Sequence, residues 1–464
     1  MYDHRHQITV TGMLRVMLLT VVAAGLVTPA LADRDDRFDE LAKDLKLKRS
    51  KNTGKGMPSI RGPFPDTAGL EFLGQLTNAE LGASRLVFTG ASFLSDIWGW
   101  TSPDTGDEYA IVGTSSGIAF VRVTHPAAPE FLGLVPTTDP NTLRNFWWDI
   151  KTFNNHAYWT TEVNGAGVAI FDLTQLDGLD AAPSDTLLEE DARYRGGGYI
   201  RAHNISINET SGFAYLTGVS KDPAVDPGFT DDGVVILDLN GDPLAPVEVG
   251  QILGIDSHDA QIVNYAGPDP DYAGREIAFV FNGGDLKVGI YDVTDKDQIV
   301  EISTPTYPGA SFTHQGWLTE DHRYLIVGDE EDELFGISDP RNPDLPDTAR
   351  TYFFDMWDLN NPTFIGHFDS PAASIDHNLF VKGDLVYQAN YTAGVRVLDI
   401  SDLGIDVNMV SELAHMDTEP RLPNRNMNHN INIFIGPWGV FPFFDSGTIA
   451  ASDGINGLIL MKLE

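Results

Sequence analysis

A strand-start pattern that recurs seven times constrains the fold of this chain more than any other feature. Each copy begins with His, Trp or Ser, and most continue with a polar residue and then an apolar one. The copies begin at Ser95, Trp148, His203, His258, His314, His377 and Trp438, at spacings of 53, 55, 55, 56, 63 and 61 residues. Units of this size hold only a few short strands, so each must stack on neighbouring copies to bury its apolar faces.

The clearest copy spans residues 374–401 and predicts three short strands in succession. Apolar and polar residues alternate in 378–381, 385–389 and 395–400, and turns that contain Gly separate these segments. Such alternation is typical of an antiparallel meander with one buried face. Seven units of this kind predict an all-β chain folded as a seven-bladed β-propeller.

A single strand ahead of the first repeat suggests how the ring closes. Residues 70–76 (LEFLGQL) resemble residues 129–135 (PEFLGLV), which end the repeat that follows. We therefore expect the N-terminal strand to complete the C-terminal blade, because this arrangement hides both sheet edges. Aspartates that end third strands are expected to cap the next turns through their own carboxylates. They include Asp172, Asp238, Asp292 and Asp399.

Several phrases of the sequence, taken together, resemble one known family. They are SDIWGW, AHNISIN, SHDAQIV, THQGWLTEDHRYLIVGDE, DHNLFVKGDLVYQANYTAGVRVLDISD and FPFFDSG. As a block over residues 72–463, the chain is similar to the choice-of-anchor B family, which is built from LVIVD-type repeats. The resemblance implies a secreted or surface-displayed β-propeller and no particular reaction. The chain departs from the family pattern after the strand 458–463, where no LPxTG-like signal or apolar tail follows.

The N-terminal residues predict export. An apolar run at 16–27 follows Arg15, and Ala30-Leu31-Ala32 forms a small-x-small pattern before Asp33. This arrangement is typical of a secretory signal peptide cleaved after Ala32, and a short buried helix is the alternative. We therefore predict a signal peptide at 1–32, a charged and Pro/Gly-rich leader at 33–69, and the propeller at 70–464.

Cleavage would leave a mature protein that is secreted, periplasmic or at the cell surface. No membrane span is expected after cleavage, because the apolar run is too short to cross a bilayer as a helix. The chain has 67 acidic and 30 basic residues, a net charge of −37, which would repel the phosphates of nucleic acids. It has no Cys, which excludes disulfides and thiolate metal sites. We predict a monomer with no nucleic-acid partner.

Four of the seven strand starts are histidines on consecutive repeats, and this register predicts a metal site. The first strand of each propeller blade lines the central channel, so the four imidazoles should converge there. Neutral imidazoles bind iron, copper, zinc or nickel, and carboxylates at second-strand ends can add oxygen ligands or fix the tautomers. The predicted ligands of one divalent transition-metal ion are His203, His258, His314, His377, Glu162 and Asp329.

Structural interpretations of the same residues stay open. Each histidine could instead hydrogen-bond the neighbouring blade, and consecutive blades could hold the rings too far apart to share one ion. The acidic run 329–333 (DEEDE) predicts a solvated loop. Calcium binding there is less favoured, because no DxDxDG loop is present. Tryptophans near the first strands, among them Trp98, Trp148 and Trp317, are predicted to pack between blades.

These features lead to two hypotheses for function. The first is an exported propeller that binds an unidentified small molecule or protein on the face that carries the histidines. The second is a metal-dependent oxidoreductase or hydrolase with a His-ligated ion at the propeller axis. The sequence contains no HExxH motif and no Gly-rich phosphate loop that opens a helix, so it favours neither of the enzyme classes that use them.

Overall fold

The computed structural model describes residues 59–83, 92–138, 147–333, 348–421 and 434–464. Within these ranges the chain forms seven small antiparallel sheets. The first strands of consecutive sheets contact one another, and the first strand of the last sheet contacts that of the first, so the sheets form a closed ring. The prediction of an all-β, seven-bladed propeller is confirmed.

The strands are numbered β1–β30 in chain order, and the sheets are called blades 1–7 in the order of their first strands. Two strands precede blade 1: β1 (Thr67–Ala68) and β2 (Leu70–Leu76). Blade 1 contains β3 (Leu94–Thr101), β4 (Glu108–Thr114), β5 (Gly117–Arg122) and β6 (Glu130–Pro136). Blade 2 contains β7 (Trp148–Phe153), β8 (His156–Thr161), β9 (Val168–Asp172) and β10 (Ala192–Tyr194).

Blades 3 to 5 follow the same meander. Blade 3 contains β11 (Tyr199–Arg201), β12 (Asn204–Asn208), β13 (Phe213–Lys221), β14 (Gly233–Asp238) and β15 (Val247–Ile252). Blade 4 contains β16 (Asp259–Asn264), β17 (Glu276–Asn282), β18 (Lys287–Asp292) and β19 (Val300–Ser303). Blade 5 contains β20 (Thr313–Leu318), β21 (Tyr324–Asp329), β22 (Arg350–Asp355) and β23 (Thr363–Asp369).

Blades 6 and 7 complete the ring. Blade 6 contains β24 (Leu379–Lys382), β25 (Leu385–Ala389), β26 (Val395–Asp399) and β27 (Ser411–Met416). Blade 7 contains β28 (Pro437–Phe441), β29 (Ile449–Asp453) and β30 (Gly457–Leu463). Short 3-10 helices lie between strands at Leu173–Leu176, Tyr391–Ala393 and Val407–Met409.

The N-terminal strand closes the ring as predicted. Strand β2 pairs antiparallel with β30, from Leu70 opposite Leu463 to Leu76 opposite Leu458, so it is the outer strand of blade 7. Contacts with the propeller begin before Leu70, because β1 pairs with β27 of blade 6. The N-terminal segment therefore joins two adjacent blades, which ties the start of the propeller to its end.

Turn-capping aspartates end several third strands, as the sequence predicted. Each carboxylate accepts a hydrogen bond from the backbone N–H two residues ahead, at 2.9–3.1 Å. The donors are Thr174, Asn240, Thr294 and Ser401, which follow Asp172, Asp238, Asp292 and Asp399. This bond replaces a backbone partner that the chain loses where the strand ends, so these aspartates are structural.

Aromatic side chains of the first strands pack between adjacent blades and, from blade 1 to blade 6, past the blade that separates them. Trp98 of blade 1 lies edge-on to Phe441 of blade 7 and Phe380 of blade 6, with ring centroids 5.2 and 5.6 Å apart. Trp317 of blade 5 contacts Phe380 at 5.0 Å. These edge-to-face contacts are the arrangement that aromatic quadrupoles favour, and they agree with the predicted packing of the tryptophans.

The first strands are irregular where they start. In blade 5 the pairing of β20 with β21 slips between Thr313 and Gln315, so His314 is the extra residue of a β-bulge. Trp438 has the same place in blade 7, and His203 lies in the break between β11 and β12, which both pair with β13. A bulge re-aims the side chain that it carries, so these residues leave the in-and-out alternation of the strand.

Among the described residues, no helix combines the length and the apolar character that crossing a bilayer would require. The predicted signal peptide and most of the predicted leader lie outside the described residues.

Candidate metal centre

The four strand-start histidines lie next to one another at the inner edge of the ring. Ring centroids are 4.3 Å apart between His203 and His258, 4.3 Å between His258 and His314, and 4.4 Å between His314 and His377. Trp438 of blade 7 continues the row, 4.8 Å from His377. Blades 3 to 6 thus place four imidazoles in one arc.

Bonds between blades fix the tautomers of two of these histidines. The Nδ1 of His258 lies 2.9 Å from the carbonyl oxygen of His314, and the Nδ1 of His377 lies 2.5 Å from that of Trp438. A carbonyl oxygen can only accept, so Nδ1 carries the hydrogen in both rings and the neutral ring has its lone pair on Nε2. The structural role that the sequence left open is therefore present in both rings.

Two of the imidazoles converge on one carboxylate. Nε2 of His314 lies 3.6 Å from Oε2 of Glu330, and Nε2 of His377 lies 3.7 Å from Oε1 of the same residue. One ligand atom from each of the three residues lies within 4.8 Å of the others, and all three side chains are buried. We call His314, Glu330 and His377 the imidazole–carboxylate site.

A tyrosine supports the carboxylate of this site. The hydroxyl of Tyr391 donates to Oε1 of Glu330 at 2.7 Å, and its ring packs 4.9 Å from that of His377. Tyr391 has a φ of +38°, a conformation that a bulky residue adopts only where its surroundings hold it. Second-shell donors of this kind orient the ligands of metal sites.

The remaining predicted ligands lie apart from the convergent atoms. His203 pairs through Nδ1 with Oε1 of Glu162 at 2.6 Å, and Glu162 also lies 3.7 Å from the guanidinium of Arg201. His258 lies between His203 and His314 in the arc. The structure thus brings together two of the six predicted ligands, and it adds Glu330, the neighbour of the predicted Asp329.

Asp329 holds the loop rather than facing the histidines. Its carboxylate accepts hydrogen bonds from four backbone N–H groups and from one tyrosine hydroxyl at 2.7–3.2 Å. These donors are Ser311, Phe312, Glu331, Asp332 and Tyr307. Asp453 of blade 7 accepts from the N–H groups two and three residues ahead in the same way. Burial nevertheless raises the pKa of Asp329.

The acidic run 329–333 is buried, so the prediction of a solvated loop is wrong. Glu330 and Glu331 are each 4% exposed, and Asp332 and Glu333 are fully buried. The loop turns inward because the carboxylate of Asp329 gathers the backbone around itself, which carries the next side chains into the space between blades 5 and 6. Alternation in the sequence gave no sign of this turn.

Asp332, Glu333 and Asp376 form a second convergent group, which we call the open triad. One oxygen from each carboxylate lies within 4.8 Å of the others. Burial, reinforced by the neighbouring carboxylates, raises the pKa of all three groups well above the usual range. The open triad lies beside the imidazole–carboxylate site, because Asp376 immediately precedes His377 and Asp332 follows Glu330 by two residues.

Comparisons with known proteins identify no family for this chain. No protein-family model matches the chain, and no curated protein matches it. Among solved structures, the chain is similar to a "putative 6-phosphogluconolactonase" from Bacteroides uniformis, with 14% identity, a TM-score of 0.45, and coverage of 68% of this chain and 83% of that one. It is also similar to U3-55K, with 11% identity, a TM-score of 0.49, and coverage of 87% and 100%.

Proposed function

We propose that this protein is an exported propeller that binds one divalent transition-metal ion at His314, Glu330 and His377 and uses that ion to bind its ligand. The observation that carries the proposal is the convergence of two imidazole nitrogens on one buried carboxylate. Export rests on the signal-like sequence that ends at Ala32. The resemblance to the choice-of-anchor B family remains a prediction and agrees with this location.

The distances favour a shared ion over direct hydrogen bonds. At 3.6 and 3.7 Å, the two Nε2–oxygen pairs are longer than a hydrogen bond. Ligands that each lie about 2.1 Å from one zinc ion are separated by about 3.4 Å in tetrahedral geometry. The two Nε2 atoms lie near different oxygens of Glu330, so this carboxylate could bind one shared ion through either oxygen or through both.

The ligand set suits a transition metal with open positions. Imidazole favours zinc, copper, iron or nickel, and two histidines with one carboxylate are the ligands of non-haem iron sites with open positions. Three protein ligands leave at least one position of a four- to six-coordinate ion for another molecule. The molecule that this protein binds, either a small molecule or another protein, would bind to the ion at that position through an oxygen or nitrogen atom.

Metal analysis of the mature protein, purified without a His tag, tests the proposal. We expect about one equivalent of iron, copper, zinc or nickel by mass spectrometry. His314→Ala combined with His377→Ala should remove it, because each change deletes a ligand. Protein that stays metal-free after incubation with each of these ions would reject the proposal.

Matched histidine variants distinguish this site from a centre that uses all four imidazoles. His203→Ala should retain the metal, because no atom of His203 is among the convergent ligand atoms. His258→Ala should also retain it, since its Nε2 is not among the convergent ligand atoms. Loss of metal in both of these variants would favour the four-histidine centre instead.

A metal-dependent enzyme, an oxidoreductase or a hydrolase, is the second candidate, because an ion held by only these three residues would have an open position for a substrate or water. An open position lets the ion polarise a substrate or lower the pKa of a bound water. Addition of azide to the cobalt-substituted protein should change its visible spectrum if a position is open. A spectrum that azide leaves unchanged would argue against both ligand binding at the metal and catalysis there.

A further inference from the structure

The open triad lacks the partners that buried carboxylates ordinarily have. Five of its six carboxylate oxygens meet no described donor at hydrogen-bonding geometry: Oδ1 of Asp332, both of Glu333 and both of Asp376. The sixth, Oδ2 of Asp332, accepts from the hydroxyl of Tyr352 at 2.5 Å. Asp332 and Glu333 can hydrogen-bond each other only when one of them holds a proton. Asp332 and Glu333 are fully buried, and Asp376 is 1% exposed, so bulk water does not supply the missing donors.

No built-in cation neutralises this group within the described part of the chain. The positive charge of Arg350 only partly opposes the rise in the pKa of Asp332, and its guanidinium forms an ion pair with Asp369 at 2.6 Å. Like charges this close repel each other strongly where the surroundings exclude water. Three ionised carboxylates in this space therefore require a counter-charge from outside the chain, or else they must take up protons.

The fold holds the carboxylates in place without help from a ligand. Gly328 of β21 leaves the space that Asp376 occupies, because a Cβ there would come within 2.8 Å of Oδ2 of Asp376. The carboxylate of Asp329 fixes the backbone of Asp332 at 3.1 Å. Blades 5 and 6 thus aim three carboxylates at one point from two separate parts of the chain.

We propose that Asp332, Glu333 and Asp376 bind a hard divalent cation, calcium by preference, as a second metal site beside the imidazole–carboxylate site. Three carboxylates offer up to six oxygens, and calcium takes six to eight oxygen ligands in flexible geometry. Magnesium keeps several of its waters when it binds, and these buried side chains leave little room for them. An all-oxygen set also selects against copper and zinc, which favour imidazole.

Calcium titration of the chelator-treated mature protein tests this site directly. We expect calorimetry to detect one calcium equivalent, and saturating calcium, about 100-fold above Kd, to raise Tm by about 3 °C. Manganese should bind in its place, because it accepts the same oxygen ligands. Its electron paramagnetic resonance signal would then report the bound fraction.

Isosteric variants separate the two sites. Glu333→Gln combined with Asp376→Asn should abolish the calcium-dependent rise in Tm and retain the transition metal. His314→Ala combined with His377→Ala should remove the transition metal and retain calcium binding. The exposed Asp180→Asn is the control and should leave calcium binding unchanged. If the double amide variant fails to fold, Asp376→Asn alone replaces it and should weaken calcium binding at least about tenfold.

Two results would overturn the second site. One is wild-type protein that shows no calcium or manganese binding and no change in Tm at saturating concentration, which would mean that the carboxyl groups hold protons instead. The other is calcium binding of unchanged affinity in the folded amide variants, which would place the ion elsewhere. Neither result bears on the imidazole–carboxylate site, because the two sites have separate ligands.

Discussion

Blades 1, 2 and 4 bury Asp96, Asp149 and Asp259 near one another, and blades 5 and 6 bury the open triad. The first cluster surrounds the ammonium group of Lys151, which lies 2.6 Å from Asp149 and 4.0 Å from Asp96. We call Asp96, Asp149 and Asp259 the lysine triad. Backbone N–H groups also reach it, from Ile150 to Asp96 at 3.0 Å and from Ala260 to Asp259 at 2.6 Å.

The difference between the triads is the source of the counter-charge. The lysine triad has a cation on strand β7 and donors that belong to its own and the neighbouring blade, so its charges help to join blades. The open triad has three buried carboxylates and one hydroxyl donor. Buried charges persist in proteins when they are paired or coordinate a metal, so the contrast indicates which triad depends on an ion from solution.

The largest expected effect comes from removing the cation of the lysine triad. Lys151→Met should lower the free energy of unfolding by about 3–5 kcal/mol, because it leaves buried carboxylates without their partner. Chemical denaturation at neutral pH measures the change. Lys462→Met is the control, since its pair with Glu71 is about half exposed and contributes less than about 1 kcal/mol. Equal losses in both variants would mean that Lys151 does not stabilise its cluster.

The effect of Asp376→Asn on the free energy of unfolding should reverse its sign when calcium is present. In calcium-free protein at neutral pH, Asp376→Asn should stabilise the fold by about 1–3 kcal/mol, because it removes an acid that burial forces to take up a proton or to remain as an uncompensated charge. In saturating calcium it should destabilise relative to wild type, because a ligand is lost. Denaturation with and without calcium measures both. Asp149→Asn in the lysine triad should destabilise the fold both with and without calcium. If its effect also reversed sign with calcium, the two triads would not differ in their dependence on an ion from solution.

The lysine triad should also respond to pH. Burial, with the nearby Asp149, raises the pKa of Asp259 to about 7. An acid whose pKa is raised by folding stabilises the folded state fully below its unfolded pKa of about 4, and this contribution is lost as pH rises to about 7. Asp259→Asn should flatten that fall by up to about 1.4 kcal/mol per pH unit. Parallel stability–pH curves for variant and wild type between pH 4 and 7 would contradict this assignment.

The smallest effect should come from the one hydroxyl that serves the open triad. Tyr352→Phe should weaken calcium binding by about tenfold, since second-shell donors orient metal ligands, and should cost about 1 kcal/mol of stability. Calorimetry and denaturation measure the two quantities. Tyr109→Phe is a matched control: it removes a comparable hydroxyl bond, to Asp177 at 2.9 Å, on blade 1. It should lower stability without changing calcium affinity.

Much of the fold could be predicted because its signals are local. Turns with Gly and alternating apolar residues define each three-stranded unit, and the similarity of residues 70–76 to 129–135 predicted the closure that β2 and β30 make. The capping role of Asp172 and Asp399 was also predictable, because the carboxylate bonds an N–H only two residues ahead. Such features depend on neighbours in sequence.

The candidate sites could be predicted only in part. The register of the histidines predicted that they would meet, and their rings do lie 4.3–4.4 Å apart. The sequence could not show that Glu330, and not Asp329, faces the histidines. The bulge at His314 breaks the strand alternation, and the carboxylate of Asp329 accepts hydrogen bonds from backbone N–H groups instead. The burial of the acidic run depends on the same turn.

Seven stacked meanders, the strand that closes them and the residue types at each strand start could all be read from adjacent residues, because these set turns and strand alternation. The folded ring was needed to show that His314 and His377 share Glu330 and that Lys151 lies among three aspartates. It was also needed to show that Asp376 meets Asp332 and Glu333 across a seam. The partners of a buried charge come from distant parts of the chain, and only the packing of blades brings them together.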